Sequence, residues 1–304
     1  MRALVVGCGY LGRRVAERWC AAGHEVTALT RSSANAESLK DAGVTPVLGD
    51  VTSAASLTSL PTVDLVLYAV GYDRSSGDRR AVVVGGLQNV FRNLRGKAAH
   101  VVFISTTSVY GQQNGEWVDV TSPAEPDSEA GRMALAAEKL VRTADMANSA
   151  ILRLTGLYGP DRLLRRVEQM RAGEPLAGNG DAWLNLIHVD DAATAVTRAA
   201  ERLRTYSLPS PSGEGPGVRG QTTPSLIYLV TDDRPVRRRE YYKHLAKLTD
   251  SPPPVFDEAA PTRVAGLGKR CRNDAATHQL ELTLAFPTFI EGLPDAWRRS
   301  AASL

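Results

Sequence analysis

The chain has 304 residues, a formal net charge of +3, and 43% hydrophobic against 23% charged residues, a balance that excludes a disordered or fibrous protein. Its basic residues are spread along the chain instead of forming one run, so no nucleic-acid partner is expected, and the opening apolar run Ala3 to Val6 is too short to span a membrane or serve as a signal, so no membrane partner and a cytoplasmic location are expected. Cys8, Cys20 and Cys271 are too few and too scattered for a disulfide framework, and no Cys/His pair has ligand spacing, so no metal is expected.

Short apolar runs then alternate with amphipathic helical patterns, which predicts an α/β fold, a doubly wound parallel Rossmann sheet of about seven strands. Strands are expected at Ala3 to Val6, Glu25 to Leu29, Thr45 to Leu48, Leu65 to Val70, Val101 to Ser105, Ala150 to Leu154, Leu184 to Val189 and Leu226 to Val230. Helices are expected at Leu11 to Ala22, Arg79 to Leu94, Glu129 to Ala144 and Asp191 to Leu203. The stretch Ser207 to Pro224 is dominated by Gly, Pro and Ser, cannot form an apolar face, and reads as a mobile surface loop. Beyond Asp232 the pattern turns helical and proline-rich. The expected division is a dinucleotide-binding domain over 1–155, continued by 184–231, with a smaller discontinuous lobe on the substrate side from 156–183 and 232–304.

The first strand runs into Gly7-Cys8-Gly9-Tyr10-Leu11-Gly12 and then a helix, the context in which GxGxxG marks a dinucleotide site. Gly7 permits the tight turn, Gly9 lets the backbone approach a pyrophosphate, and Gly12 lets the helix pack close on the strand. The helix N-terminus offers N–H groups and a positive dipole end to the phosphates. A second position sets the cofactor's ribose. NAD-preferring proteins place a carboxylate at the end of the second strand to accept from the 2′-OH, whereas this chain reads Thr30-Arg31-Ser32. The Arg31 guanidinium can pair with a 2′-phosphate and stack on adenine, which favours NADP, with NAD the lesser alternative. Asp50 and Val51, after the third strand, are placed to meet the adenine edge.

Three further strings, Phe103-Ile104-Ser105-Thr106-Thr107-Ser108-Val109-Tyr110-Gly111, Leu152-Arg153-Leu154-Thr155-Gly156-Leu157-Tyr158-Gly159-Pro160 and Leu186-Ile187-His188-Val189-Asp190-Asp191, follow the glycine turn in order. Together with that turn the chain resembles the extended short-chain dehydrogenases/reductases, the NAD-dependent epimerase/dehydratase group, and within it an atypical bacterial subgroup. The resemblance runs from residue 1 to about residue 300, and adds Ala69, Val70 and Gly71 at the end of the fourth strand to the expected cofactor contacts. It implies a proton-transferring Tyr, its pKa lowered by a Lys four residues on, beside a Ser/Thr and an Asn. The Ser/Thr position is Thr106. The helix that should carry the pair has Ala130 and Ala134 instead, and the Asn position is Val83. Tyr110 and His188, at strand ends, are the candidate replacements, Tyr110 for the proton transfer itself. Arg132 can bind a carboxylate, phosphate or carbonyl, and Tyr158 and His188 complete the expected substrate contacts. Asp190 and Asp191 read as the cap of the following helix.

The resemblance thus implies a nicotinamide-dependent oxidoreductase or epimerase-like protein acting on a small, polar, sugar-like molecule without the Tyr/Lys pair. The rival is a non-catalytic NADP(H)-binding regulatory or redox-sensing protein. Either is expected as a homodimer or a monomer.

Overall fold

A computed structural model describes residues 1–72, 77–144, 148–205, 225–260 and 266–301. The loop expected at Ser207 to Pro224 lies outside the described residues. In chain order the first strands are β1 (Arg2–Val6), β2 (Glu25–Thr30), β3 (Thr45–Leu48), β4 (Val63–Tyr68), β5 (Ala98–Thr106), β6 (Asn114–Val118) and β7 (Asn148–Leu154). They are followed by β8 (Gly156–Tyr158), β9 (Leu176–Ala177), β10 (Trp183–Leu184), β11 (Leu186–His188), β12 (Ser225–Val230), β13 (Val236–Arg237), β14 (Phe256–Asp257) and β15 (Gly268–Cys271). The helices are α1 (Tyr10–Ala21), α2 (Ser33–Asp41), α3 (Gly86–Asn93), α4 (Glu129–Arg142), α5 (Leu164–Arg171), α6 (Val189–Thr205), α7 (Arg238–Leu248), α8 (Asp274–Gln279) and α9 (Phe289–Ala301).

Seven strands form one parallel sheet in the order β12-β7-β5-β4-β1-β2-β3, the doubly wound arrangement that the alternating pattern predicts. Ala3, Leu4, Val5 and Val6 of β1 are all buried, as expected for a central strand covered by helices on both faces. In α1 the buried residues Leu11, Val15, Ala16 and Trp19 fall on one helical stripe, and the helix stops at Gly23, whose φ of 76° supplies the left-handed turn. Among the described residues no helix is long and apolar enough to cross a membrane.

The chain divides into two compact units. The first comprises Met1–Val109, Pro126–Arg153 and Ala193–Tyr228, and the second Tyr110–Glu125, Leu154–Ala192 and Leu229–Leu304. A core that includes Leu4, Val6, Leu29, Val66, Leu87, Val101 and Ile151 holds the first unit together. Tyr158, Leu163, Met170, Leu176, Leu245, Phe289 and Leu293 contribute to the core of the second.

One expected strand is corrected. Leu184 to Val189 is not a strand of the main sheet. It is split into β10, which pairs antiparallel with β13, and β11, which pairs parallel with β8, while Val189 already begins α6. The break is at Asn185, whose side-chain amide donates to the Lys269 carbonyl at 2.9 Å and accepts from the Cys271 N–H at 2.7 Å. The backbone changes partner at this point, from β13 at Leu184 to β8, where the Gly156 N–H donates to the Asn185 carbonyl at 2.9 Å. The helix expected at Arg79 to Leu94 contains a π-turn over Ala81–Gly85, with the Gly86 N–H bonding back to the Ala81 carbonyl. A Cβ at Gly86 would lie 2.8 Å from Val51 Cγ2 and 3.3 Å from Tyr68 Oη. Close approach of this helix to its neighbours therefore depends on a glycine, at the end of a π-turn of the kind that often marks functional positions.

Candidate functional site: a glycine turn and a capped helix

The three glycines of the opening turn have three different surroundings. A Cβ on Gly7, whose φ is 95°, would fall 2.5 Å from the Ala69 carbonyl carbon and 2.6 Å from the Val70 nitrogen. On Gly12 it would overlap the Gly7 carbonyl oxygen. On Gly9 it would meet nothing within 4 Å. Gly7 and Gly12 are thus required by the protein's own packing, whereas Gly9 faces open space. Gly9 is also the N-cap of α1, with no side-chain capping bond and no acidic residue in the first turn. By contrast α2 and α4 are capped by Ser32 and Ser128, which accept from Asn35 N and Gly131 N. An uncapped helix start beside a glycine with room in front of it fits a phosphate group. Around it Tyr10 is half-buried and Leu11 buried, while Ala69, Val70 and Gly71 follow directly from β4.

At the end of β2, Thr30 is buried, and its hydroxyl accepts from Ser32 N at 3.3 Å and Asn35 Nδ2 at 3.0 Å. Arg31 stands exposed, its Nη1 3.9 Å from Asp50 Oδ2. Burial acts to raise the Asp50 carboxyl, but hydrogen bonds from the Thr52 N–H and hydroxyl, together with Arg31, outweigh it and hold the group below the usual carboxylate range. Val51 is buried, and its carbonyl accepts from Asn89 Nδ2 at 3.0 Å.

At the end of β5, Thr106 Oγ1 lies 3.1 Å from Ser108 Oγ and accepts from the Ser108 N–H at 3.2 Å. Helix α4 starts against this turn, since a Cβ on Gly131 would overlap the Ser108 carbonyl oxygen and come within 2.6 Å of Pro126 Cβ. Its first turns carry Ala130 and Ala134, the latter buried, and Arg132 is exposed, donating to the Asp127 carbonyl at 2.7 Å. Sequence reasoning missed two features here. Ser108 pairs with Thr106 through both its hydroxyl and its N–H, a contact that the Thr106-Thr107-Ser108 string could have suggested. Buried Glu138 accepts from Ser105 Oγ at 2.6 Å and from Arg153 Nε and Nη2 at 3.0 and 2.7 Å, fastening α4 to β5 and β7. No local motif signals that triad.

The remaining sequence-predicted residues lie in the second unit. Tyr110 is 2% exposed, and its carbonyl accepts from Lys269 Nζ at 2.6 Å. Tyr158 is also buried, its hydroxyl against Gly292 and 3.4 Å from the Thr288 carbonyl. Burial, reinforced by Asp232, Tyr241, Asp191 and Glu291, pushes the Tyr158 phenol up. The ring of wholly buried His188 meets Tyr158 edge-on at 5.2 Å and Phe286 at 4.1 Å, and its Nδ1 accepts from the Asp190 N–H at 3.3 Å. Arg299 donates to both Asp190 and Asp295, at 2.6 and 3.0 Å, which flank the imidazole at 3.8 and 3.6 Å. The structure therefore brings Tyr158 and His188 together. Asp191 corrects its expected capping role, because its carboxylate accepts from Ala285 N and Phe286 N at 2.7 and 2.9 Å, tying α6 to a distant loop.

Residues 3–208 match the model of the NAD dependent epimerase/dehydratase family. The chain belongs to that family. Within it, the chain is 25% identical to Protein YeeZ of Escherichia coli (strain K12) over 291 residues, covering 94% of this chain and 96% of that protein. A solved structure described as a putative NAD-dependent epimerase/dehydratase from Methylobacillus flagellatus is 29% identical, covers 100% of this chain and 99% of its own, and superposes with a TM-score of 0.75. The UDP-glucose 4-epimerase of Bifidobacterium longum, solved in complex with NAD+ and UDP, shares the fold at a TM-score of 0.80 and 15% identity, covering 99% and 98% of the two chains.

Proposed function

We propose that this member of the epimerase/dehydratase family binds NADP(H) at the glycine turn and acts as an oxidoreductase or epimerase-like enzyme on a small, polar, sugar-like molecule. The observation that carries the reading is Gly9, open on the side where Gly7 and Gly12 are closed, at a helix start that no side chain caps. The NAD+ held by the Bifidobacterium longum enzyme supports a nicotinamide dinucleotide as the group bound. Arg31 supports the 2′-phosphate, since its guanidinium is exposed and its ion-pair partner among the described residues, Asp50, stands 3.9 Å away, a distance at which a surface pair contributes little. Tyr10, Leu11, Thr30, Ser32, Asp50, Val51, Ala69, Val70 and Gly71 complete the proposed cofactor contacts.

When bound, the nicotinamide supplies hydride chemistry. The chain's part is to orient and to move a proton. Thr106 is the hydroxyl proposed to hold a substrate oxygen, with Ser108, 3.1 Å away, able to pass a proton to or from it. Arg132, Tyr158 and His188 are kept as the proposed substrate-side residues and Tyr110 as the alternative acid. With Ala130 and Ala134 where the family's Tyr and Lys belong, proton transfer lacks a tuned phenol, and a positioned acid is typically worth about 10² to 10⁴ in rate.

The test is hydride transfer from NADPH labelled with deuterium at C4 to a panel of sugar and nucleotide-sugar carbonyls. Slow transfer is expected, reduced further by Thr106→Ala and unchanged by the control Tyr110→Phe. Transfer that Tyr110→Phe abolishes moves the acid role to Tyr110. No transfer to any carbonyl, with NADPH binding intact, favours the regulatory binding protein instead.

A further inference from the structure

The second unit carries a stack of three arginines and two tryptophans that plays no part in the reading above. Trp117 of β6 lies opposite Arg270 of β15, and Trp183 of β10 lies opposite Arg237 of β13. The guanidinium carbon of Arg237 sits 3.8 Å from the centre of the Trp183 ring system, and that of Arg270 sits 5.2 Å from Trp183 and 4.7 Å from Trp117. Arg272 sits 4.7 Å from Trp117. The series is thus Arg272, Trp117, Arg270, Trp183, Arg237.

These charges are not neutralised internally. Among the described residues no carboxylate lies within 4.0 Å of any of the three guanidiniums. Asp181 gives its carboxylate to Arg239 and only its carbonyl to Arg237. Arg270 donates through Nε to the Gly115 carbonyl at 2.6 Å, and the Arg272 guanidinium has no hydrogen bond among the described residues. Stacking engages the flat faces of a guanidinium and leaves its in-plane N–H edges for an anion. Three neighbouring like charges repel, so a counter-charge laid along their edges is favoured. Trp117 is 42% exposed, which places this end of the stack at the surface.

Spacing selects the partner. Arg270 of β15 and Arg272, just past its end, both lie over the Trp117 ring, and their two-residue interval is the one at which side chains recur on one face of an extended peptide. Binding of a nucleic-acid strand relies on open aromatic faces for its bases, whereas each indole here already has two guanidiniums over it. We infer that this comb docks an extended acidic segment of a partner protein, with carboxylates at alternate positions meeting Arg272 and Arg270 and with Arg237 adding to the positive charge beside them.

The experiment is fluorescence anisotropy of the full chain with a labelled synthetic peptide alternating Glu and Thr, at low and at physiological salt. Saturable binding that weakens with salt is expected. Arg272→Gln, which removes no backbone hydrogen bond, should weaken it several-fold, and Arg270→Gln with Arg272→Gln by about tenfold or more, with the circular dichroism spectrum and NADPH affinity unchanged. A peptide of the same composition with its glutamates in one block should bind more weakly. No saturable binding, equal affinity for the block peptide, indifference to Arg272→Gln, or tighter binding of single-stranded DNA of equal charge would each overturn the assignment.

Discussion

Helices α1 and α4 begin in the same way and end up with opposite chemistry. Each is pressed onto backbone through a glycine, Gly12 against the Gly7 carbonyl and Gly131 against the Ser108 carbonyl. The start of α1 is left uncapped with open space at Gly9, while the start of α4 is closed by Ser128 and its first turns carry alanines. Close packing at a helix start is therefore independent of whether that start is capped. The same glycine contact with backbone thus stands at an open helix start in one case and at a capped one in the other.

The largest expected effect separates the two kinds of glycine. Gly9→Val should lower NADPH affinity by at least about 100-fold with the melting temperature nearly unchanged, because its side chain enters only the space in front of α1. Gly131→Val should do the reverse, costing about 1–3 kcal/mol or more through overlap with backbone, with affinity retained in whatever fraction folds. Calorimetry and thermal melts on both variants check this, and a Gly9→Val protein that binds normally breaks the comparison.

Next in size is the buried clamp of α4. Glu138→Ala leaves Arg153 charged and buried without its carboxylate, and should destabilise the chain by about 3–5 kcal/mol in urea unfolding. Ser105→Ala, which removes one hydrogen bond to the same carboxylate, should cost about 1–2 kcal/mol. Equal, small losses would mean that the clamp does not position α4.

A third prediction concerns Asp232 of the second unit, buried, with Oδ1 accepting from the Arg234 N–H and Oδ2 without a hydrogen-bond partner among the described residues. Burial, helped by Asp233, Glu291 and Asp191, raises its carboxyl to about 8. The unfolded chain gives up this proton near its ordinary value of 3.8, while the folded chain holds it. Stability should therefore fall as pH rises from about 4 to about 8 and level off above that, by an amount on the order of a few kcal/mol. Asp232→Asn should flatten that slope, and an unchanged slope in denaturant titrations across this range would show that Asp232 is ionised in the fold.

Much of the first unit was legible in the sequence because its signals are local. Three glycines at fixed spacing between a strand and a helix specify the turn without reference to any distant residue, and alternation of apolar runs with helical stripes specifies the parallel sheet. The second unit was read less well. Leu184 to Val189 looks like one strand, and only the distant partners of its two halves, β13 for β10 and β8 for β11, divide it. Asp191 looks like a helix cap, and only the later loop at Ala285 and Phe286 reveals what it holds. The Ser105–Glu138–Arg153 clamp and the tryptophan–arginine comb likewise join residues far apart in the chain. Their partners are fixed by the fold, and no spacing rule announces them.

The glycine turn and Arg31 are together proposed to make an NADP(H) site in a chain where no Tyr is followed by a Lys four residues on. The most direct test of that site is a calorimetric titration of the natural chain and of Arg31→Ala with NADPH and with NADH at matched salt. The natural chain should bind NADPH more tightly than NADH, by about tenfold or more given a charge-assisted contact to the 2′-phosphate, and Arg31→Ala should lose most of that preference. Equal affinities for the two cofactors in the natural chain would contradict it.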